Sequence, residues 1–476
     1  MVELAQNPHA ILCVIRGSIV PEDKTTNRPV IGISRGNTMM LKSSRIVRLS
    51  LVLAAPLCFA TLQSASADTQ ALISGADAAA RCVAAYPGAP AGPDELSPCQ
   101  WDMARIAAPA AQAVPATGRG VKVGIIDGGV DFTHPDLAGA IDVADSCSFI
   151  NSTTPTADPQ EVANGDCSNK VAVQDLQGHG THVATTVAAR ANGFGIVGVA
   201  PEATIVALKA CTIAGYCFAD SVAAALRYAG DTSLDVVNLS LFADPYLYFC
   251  GNDAEQRAIL RDLQGAARYA QQRGVVIVAA AGNQADDLQH PTTDNTSPDW
   301  PPNSAIVRDV GNNCRVAPAE LPGVVTVSGT GVNRLASYSN VGSPVDVAAP
   351  GGDAPQTPSN VFGRGRILAG WSSTDATGTW EALVAANRAV VSGGGRYVWI
   401  SGTSMASPHV AGVAALIRQV HPGMPQGAVA ALLRSSATPL ACPTDWSAND
   451  PRQCTGGGGR TSFYGAGLVN AAEAVR

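Results

Sequence analysis

The sequence predicts an α/β fold, a three-layer sandwich in which helices cover both faces of a mostly parallel central sheet. Three observations lead there. From Val121 onward, apolar strand-like runs alternate with helical stretches, the order that builds a parallel sheet through helical crossovers. Several runs are apolar at nearly every position, as in Val276-Ile277-Val278-Ala279-Ala280-Ala281, which marks strands buried on both faces. Within 404–420, Val410, Val413, Ala414 and Ile417 recur at three- and four-residue spacing, one face of a helix.

In chain order, strands are expected at 121–127, 171–175, 204–211, 235–241, 274–281, 324–328 and 345–348. Helices are expected at 181–191, 220–229, 252–273, 404–420 and 426–435. Pro408 is placed in the first turn of its helix, where a missing N–H is tolerated. The stretch 285–313 is rich in Asp, Pro and Asn and reads as a surface loop. The stretch 352–395 is a long insertion, and its Gly393-Gly394-Gly395 run reads as flexible.

The bulk numbers set the class. The chain has 476 residues, of which 46% are apolar and 14% charged, with a formal net charge of -7. A large core is affordable, while disorder and nucleic-acid binding are disfavoured for want of charge and of a basic stripe. Lys42, Arg45 and Arg48 precede a short apolar run at 49–60 and the Ala65-Ser66-Ala67 cleavage pattern. This is the layout of a secretory signal over about 39–67, too short to anchor the chain in a bilayer. Translation is expected to start at Met39 or Met40, so that residues 1–67 form an extension plus signal. The segment 68–99 shows weak periodicity and is read as an N-terminal segment, with one folded domain expected over 100–476. Twelve cysteines are present, and the ten outside the expected leader form no C-x-x-C. That pattern suits disulfides and export rather than zinc. Pairing in sequence order would close five loops, four of them short, but connectivity stays open at this level.

Three segments bear chemistry. Val123-Gly124-Ile125-Ile126-Asp127-Gly128-Gly129 is a buried strand ending in a carboxylate. Gly178-His179-Gly180-Thr181-His182-Val183-Ala184 opens a helix with a histidine. Gly402-Thr403-Ser404-Met405-Ala406-Ser407-Pro408-His409 places a serine hydroxyl at the mouth of another. Free N–H groups and the helix dipole there favour the negative charge of an acyl-transfer intermediate. The order Asp, His, Ser, on these motifs, resembles the subtilisin family of serine proteases and not the other orders in which the same three side chains are used.

The resemblance implies roles. Ser404 is the nucleophile, His179 the general base and Asp127 the carboxylate that orients the imidazole. Asp131 is the rival carboxylate. The family usually has Ser or Thr after this Asp; Gly128 lacks that hydroxyl. His182, three residues after His179, does not match the four-residue spacing of metal-binding helices and is read as structural. Asn283, closing a buried strand with Gly282, is the side-chain donor to the oxyanion. The family likeness casts Leu239-Ser240-Leu241 as an edge strand that pairs with substrate backbone, so Ser240, Leu241, Phe242 and Gly282 are the substrate-binding candidates. Phe242 replaces the usual Gly, and its ring either roofs the pocket or turns into the core. No cofactor is needed for this chemistry. Asp136 and Asn192 occupy positions similar to ligands of a structural calcium loop in some subtilisins; the carbonyl ligands that would complete it are not legible.

The reading is therefore a secreted, monomeric serine endopeptidase acting on protein or peptide substrates, without nucleic-acid partner or membrane anchor. Its rivals are a non-catalytic binding protein on the same fold and an esterase using the same machinery.

Overall fold

The structure is a computed structural model that describes residues 72–86, 92–457 and 459–476. The expected leader at 1–67 lies outside the described residues.

Seven strands form the central sheet: β1 (Lys122–Asp127), β2 (Cys147–Ser148), β3 (Thr204–Lys209), β4 (Val236–Leu239), β5 (Val276–Ala280), β6 (Val325–Thr330) and β7 (Val347–Pro350). They run in the order β7-β6-β5-β4-β1-β3-β2, and every pairing is parallel. Five helices pack around it: α1 (His179–Ala188), α2 (Ala219–Asp231), α3 (Ala254–Gln272), α4 (Thr403–Val420) and α5 (Gln426–Ser435). Alternation along each strand divides the core. Val123, Ile125, Val236 and Val278 face Val183 of α1 and Val410 of α4. Ile126, Val237, Leu239 and Ile277 face Leu226 of α2 and Leu263 of α3. A fully buried aliphatic side chain of this kind stabilises by about 1.5–3 kcal/mol, so both layers are held firmly to the sheet.

Three expectations need correction. Residues 171–175 are not a strand; Val171–Val173 is a 3-10 turn. The outer edge of β3 is already paired with Cys147–Ser148, a strand too short to announce itself in sequence. Pro408 lies in the second turn of α4, not the first, because the helix begins at Thr403. The third concerns 352–395, which contributes ordered structure. Ile367–Trp371, Ala389–Ser392 and the adjoining Gly395–Ile400 form a four-stranded sheet with Ile73–Ser74 at its edge. Helix Thr379–Ala385 covers it, and Trp371, Trp380 and Val398 are buried between them. Gly393 and Gly394, with φ of 54° and 84°, are the two central residues of a tight hairpin turn, where both φ angles must be positive.

The helix Gly75–Ala85 packs on this sheet, with Cys82 bonded to Cys99. The other disulfides are Cys147–Cys167, Cys211–Cys217, Cys250–Cys314 and Cys442–Cys454, the pairing in sequence order. Among the described residues no helix is long and apolar enough to cross a membrane.

Candidate active site

Asp127 is the last residue of β1, and its side chain is only 4% exposed. A lone buried carboxylate is costly; this one has a partner. His179 Nδ1 lies 2.9 Å from Oδ1 and 3.0 Å from Oδ2. Gly128 N donates to Oδ1 at 2.7 Å. Among the described residues no hydroxyl donates to Asp127, which fits the absent side chain at Gly128. Asp131 is engaged elsewhere, accepting from Thr133 and Ser373 through both oxygens.

His179 begins α1, and its placement depends on its two glycine neighbours. Gly178 has φ of +123°, and a Cβ there would sit 2.1 Å from the Trp371 ring. A Cβ on Gly180 would sit 2.0 Å from the carbonyl oxygen of Gly129. The first turn is capped by Asp175, which accepts from Gly178 N at 2.7 Å, Thr181 N at 2.9 Å and Thr181 Oγ1 at 2.6 Å. Burial opposes a charge on His179, but the Asp127 carboxylate, aided by Asp175, outweighs it and holds the pKa above the ordinary 6.5. The side chain is 27% exposed, and among the described residues Nε2 has no hydrogen-bond partner. His182 behaves as expected of a structural residue. It is buried, its Nε2 lies 3.3 Å from Val398 O, and desolvation pushes its pKa down to about 3.

Ser404 is the second residue of α4. Pro408 has no N–H to give the carbonyl four residues back, so Ser404 O is left without a helical donor. Ser240 Oγ fills the gap at 2.8 Å and also meets Ser407 Oγ at 2.9 Å. The Ser404 hydroxyl itself donates to Ser240 O at 3.2 Å, so no Ser404–His179 hydrogen bond is formed in this structure.

Asn283 follows β5. Its Oδ1 accepts from Thr403 N and Thr403 Oγ1, both at 2.8 Å, which turns the amide nitrogen away from these groups. A Cβ built on Gly402 would lie 3.5 Å from Asn283 Nδ2 and 3.6 Å from Ser404 N. Two N–H donors therefore border the space that a side chain at 402 would enter. Gly282, with φ of +105°, sits against Asn340, whose amide nitrogen would be 2.4 Å from a Cβ. Thr403 and Asn340 were not singled out in sequence; the Thr beside the serine was the available signal.

The remaining candidates fall out differently. β4 is not an edge strand, since Val236–Leu239 pair with both β1 and β5; only the chain beyond Leu239 is free for a substrate. Ser240 is buried beneath the serine helix, and Leu241 is partly buried. Phe242 is half-buried and packs against the cluster containing Leu247, Tyr248 and Leu288. Asp136 and Asn192 are brought together by the fold. Asn192 Nδ2 donates to Asp136 Oδ1 at 3.1 Å and Ile196 N to Oδ2 at 3.0 Å, while Asn192 Oδ1 accepts from Phe194 N at 3.2 Å. Burial is the largest cause pushing the Asp136 carboxyl up to about 7. Among the described residues no group of three or more His, Cys, Asp or Glu is placed to hold a metal.

Comparison with known proteins gives the family of the chain. The sequence profile of the subtilase family matches residues 118–467. Subtilisin Savinase of Lederbergia lenta is 30% identical over 377 residues, covering 79% of this chain and 98% of that protein. Subtilisin E of Bacillus subtilis (strain 168) is also 30% identical over 377 residues, covering 79% and 71%. Among solved structures, fervidolysin from Fervidobacterium pennivorans, a keratinolytic enzyme related to subtilisin, superposes with a TM-score of 0.55. It is 28% identical, and the match covers 82% of this chain and 47% of that one. A protease from Pseudoalteromonas arctica gives a TM-score of 0.53 at 29% identity, covering 81% and 99%.

Proposed function

Since the chain belongs to the subtilase family of serine proteases, we propose that it is a secreted endopeptidase whose triad is Asp127, His179 and Ser404. The supporting observation is the imidazole gripped at Nδ1 by a buried carboxylate, with Nε2 left open. In this mechanism the Ser404 hydroxyl leaves Ser240 O for Nε2, a contact that commonly tightens only when substrate binds. His179 then takes the hydroxyl proton as Oγ attacks the scissile carbonyl. The oxyanion that forms lies between Asn283 Nδ2 and Ser404 N, where fixed donors lower the barrier most. His179 next returns the proton to the leaving amine, and water, activated by the same imidazole, hydrolyses the acyl-enzyme. Asp127 holds the imidazole in the tautomer with Nδ1 protonated. Five disulfides suit an oxidising compartment, in keeping with export through the leader at 39–67.

A fluorophosphonate probe tests the reading. Labelling of Ser404 in the wild type, lost in Ser404→Ala, supports the enzyme. A folded wild type that resists the probe would be a binding protein, and one that turns over esters but no amide would be an esterase.

A further inference from the structure

Lys209 and Glu161 form an ion pair in which both residues are wholly buried, with Nζ to Oε1 at 2.9 Å. Burying two charges costs about as much as their attraction returns, so such a pair is weak evidence of stabilisation. Its neighbours suggest another use. Lys209 ends β3 and stands in register with Asp127 of β1. Its ammonium donates to Gly128 O at 2.8 Å, the carbonyl of the residue after Asp127. It donates also to Gln174 O at 2.8 Å, the peptide just before Asp175. Asp175 is the carboxylate that caps the turn bearing His179. A single cation therefore ties the end of the Asp127 strand to the start of the His179 helix.

The counter-charge comes from outside the sheet. Glu161 lies in an excursion after β2 whose ends are closed by Cys147–Cys167. Glu161 Oε2 accepts from Asp158 N at 3.1 Å, and Ser148 Oγ donates to Glu161 O at 2.9 Å. The ammonium thus donates to two backbone carbonyls and stands 2.9 Å from the Glu161 carboxylate as its counter-charge.

We propose that Lys209, held by Glu161, is a positioning residue that sets the spacing between Asp127 and His179. It touches no substrate. It acts through Gly128 O and Gln174 O, keeping the carboxylate within hydrogen-bond reach of Nδ1 so that the imidazole is a strong base. This rests on the catalytic reading above.

The test is the double substitution Lys209→Met with Glu161→Leu in the full chain, which removes both charges together. Steady-state kinetics on one peptide amide are followed from pH 5 to 9 beside thermal unfolding. We expect kcat to fall by about ten- to a hundred-fold, the scale of a small misplacement of catalytic groups, with KM little changed. The acid limb of kcat/KM should move to lower pH as the imidazole loses its carboxylate. A purely structural pair would lower the unfolding temperature but leave kcat and the acid limb of the folded enzyme in place; that result overturns the proposal. If the double variant does not fold, Lys209→Gln with Glu161→Gln, which keeps an amide donor, is judged by the same two readouts. Failure of the catalytic reading looks different: the wild type itself neither reacts with the fluorophosphonate nor cleaves the peptide, and the proposal falls with it.

Discussion

At the scale of single residues, the hydrogen bonds around Asp127, His179, Ser404 and Asn283 divide the work. Ser404→Ala removes the hydroxyl proposed to attack the substrate carbonyl, so turnover should vanish while circular dichroism and melting stay as in the wild type. Asn283→Ala removes one of two oxyanion donors. The loss known for the corresponding donor in a subtilisin is about a hundred- to a thousand-fold in kcat, and the same size is expected here with KM nearly constant. The pH dependence follows from His179. Its folded pKa lies above 6.5, and only the neutral ring can accept a proton. Activity should therefore fall as pH drops through a value above 6.5, measured as the acid limb of kcat/KM. A limb well below 6.5 would contradict the Asp127–His179 contact.

At the scale of elements, the catalytic side chains sit where strands end and helices begin. Free N–H groups, close backbone approach and a buried strand terminus coincide there. The start of α1 shows how little slack exists. A methyl group at position 180 would lie 2.0 Å from Gly129 O, a backbone atom that cannot swing aside. Gly180→Ala should displace the first turn and carry His179 from Asp127, lowering kcat at least tenfold and also the melting temperature. Most elements were legible, because strands such as β5 are continuous apolar runs and α4 shows its apolar face. Cys147–Ser148 was not, since two residues carry no periodicity. Its absence from the reading left 171–175 as the apparent strand. The sheet within 352–395 was hidden behind Gly-rich punctuation, although Gly393-Gly394 is itself a hairpin signal.

At the scale of the whole molecule, cross-links and buried charges bind distant segments. In the chain-entropy picture, closing a longer loop removes more freedom from the unfolded chain, so the bridge spanning the longest loop should matter most. Cys250–Cys314 spans 64 residues and Cys211–Cys217 only 6. Replacing the first pair with serines should lower the melting temperature more than replacing the second, as read by calorimetry on the two double variants. The Lys209–Glu161 contact also belongs to this scale. Lys209 and Glu161 lie far apart along the chain, and nothing local predicts that they meet.

The chain by itself determined the alternation of strand and helix and the motifs of the subtilase family. Periodicity, glycine placement and capping are written in neighbouring residues and act over a few bonds. Only the tertiary structure decided that Asp127 grips His179 while Asp131 serves Thr133 and Ser373, that Phe242 packs against Leu247 and Tyr248, and that Asn192 donates to Asp136. Those outcomes depend on which groups, remote along the chain, compete for one hydrogen bond or one volume, and that competition exists only once the layers have packed.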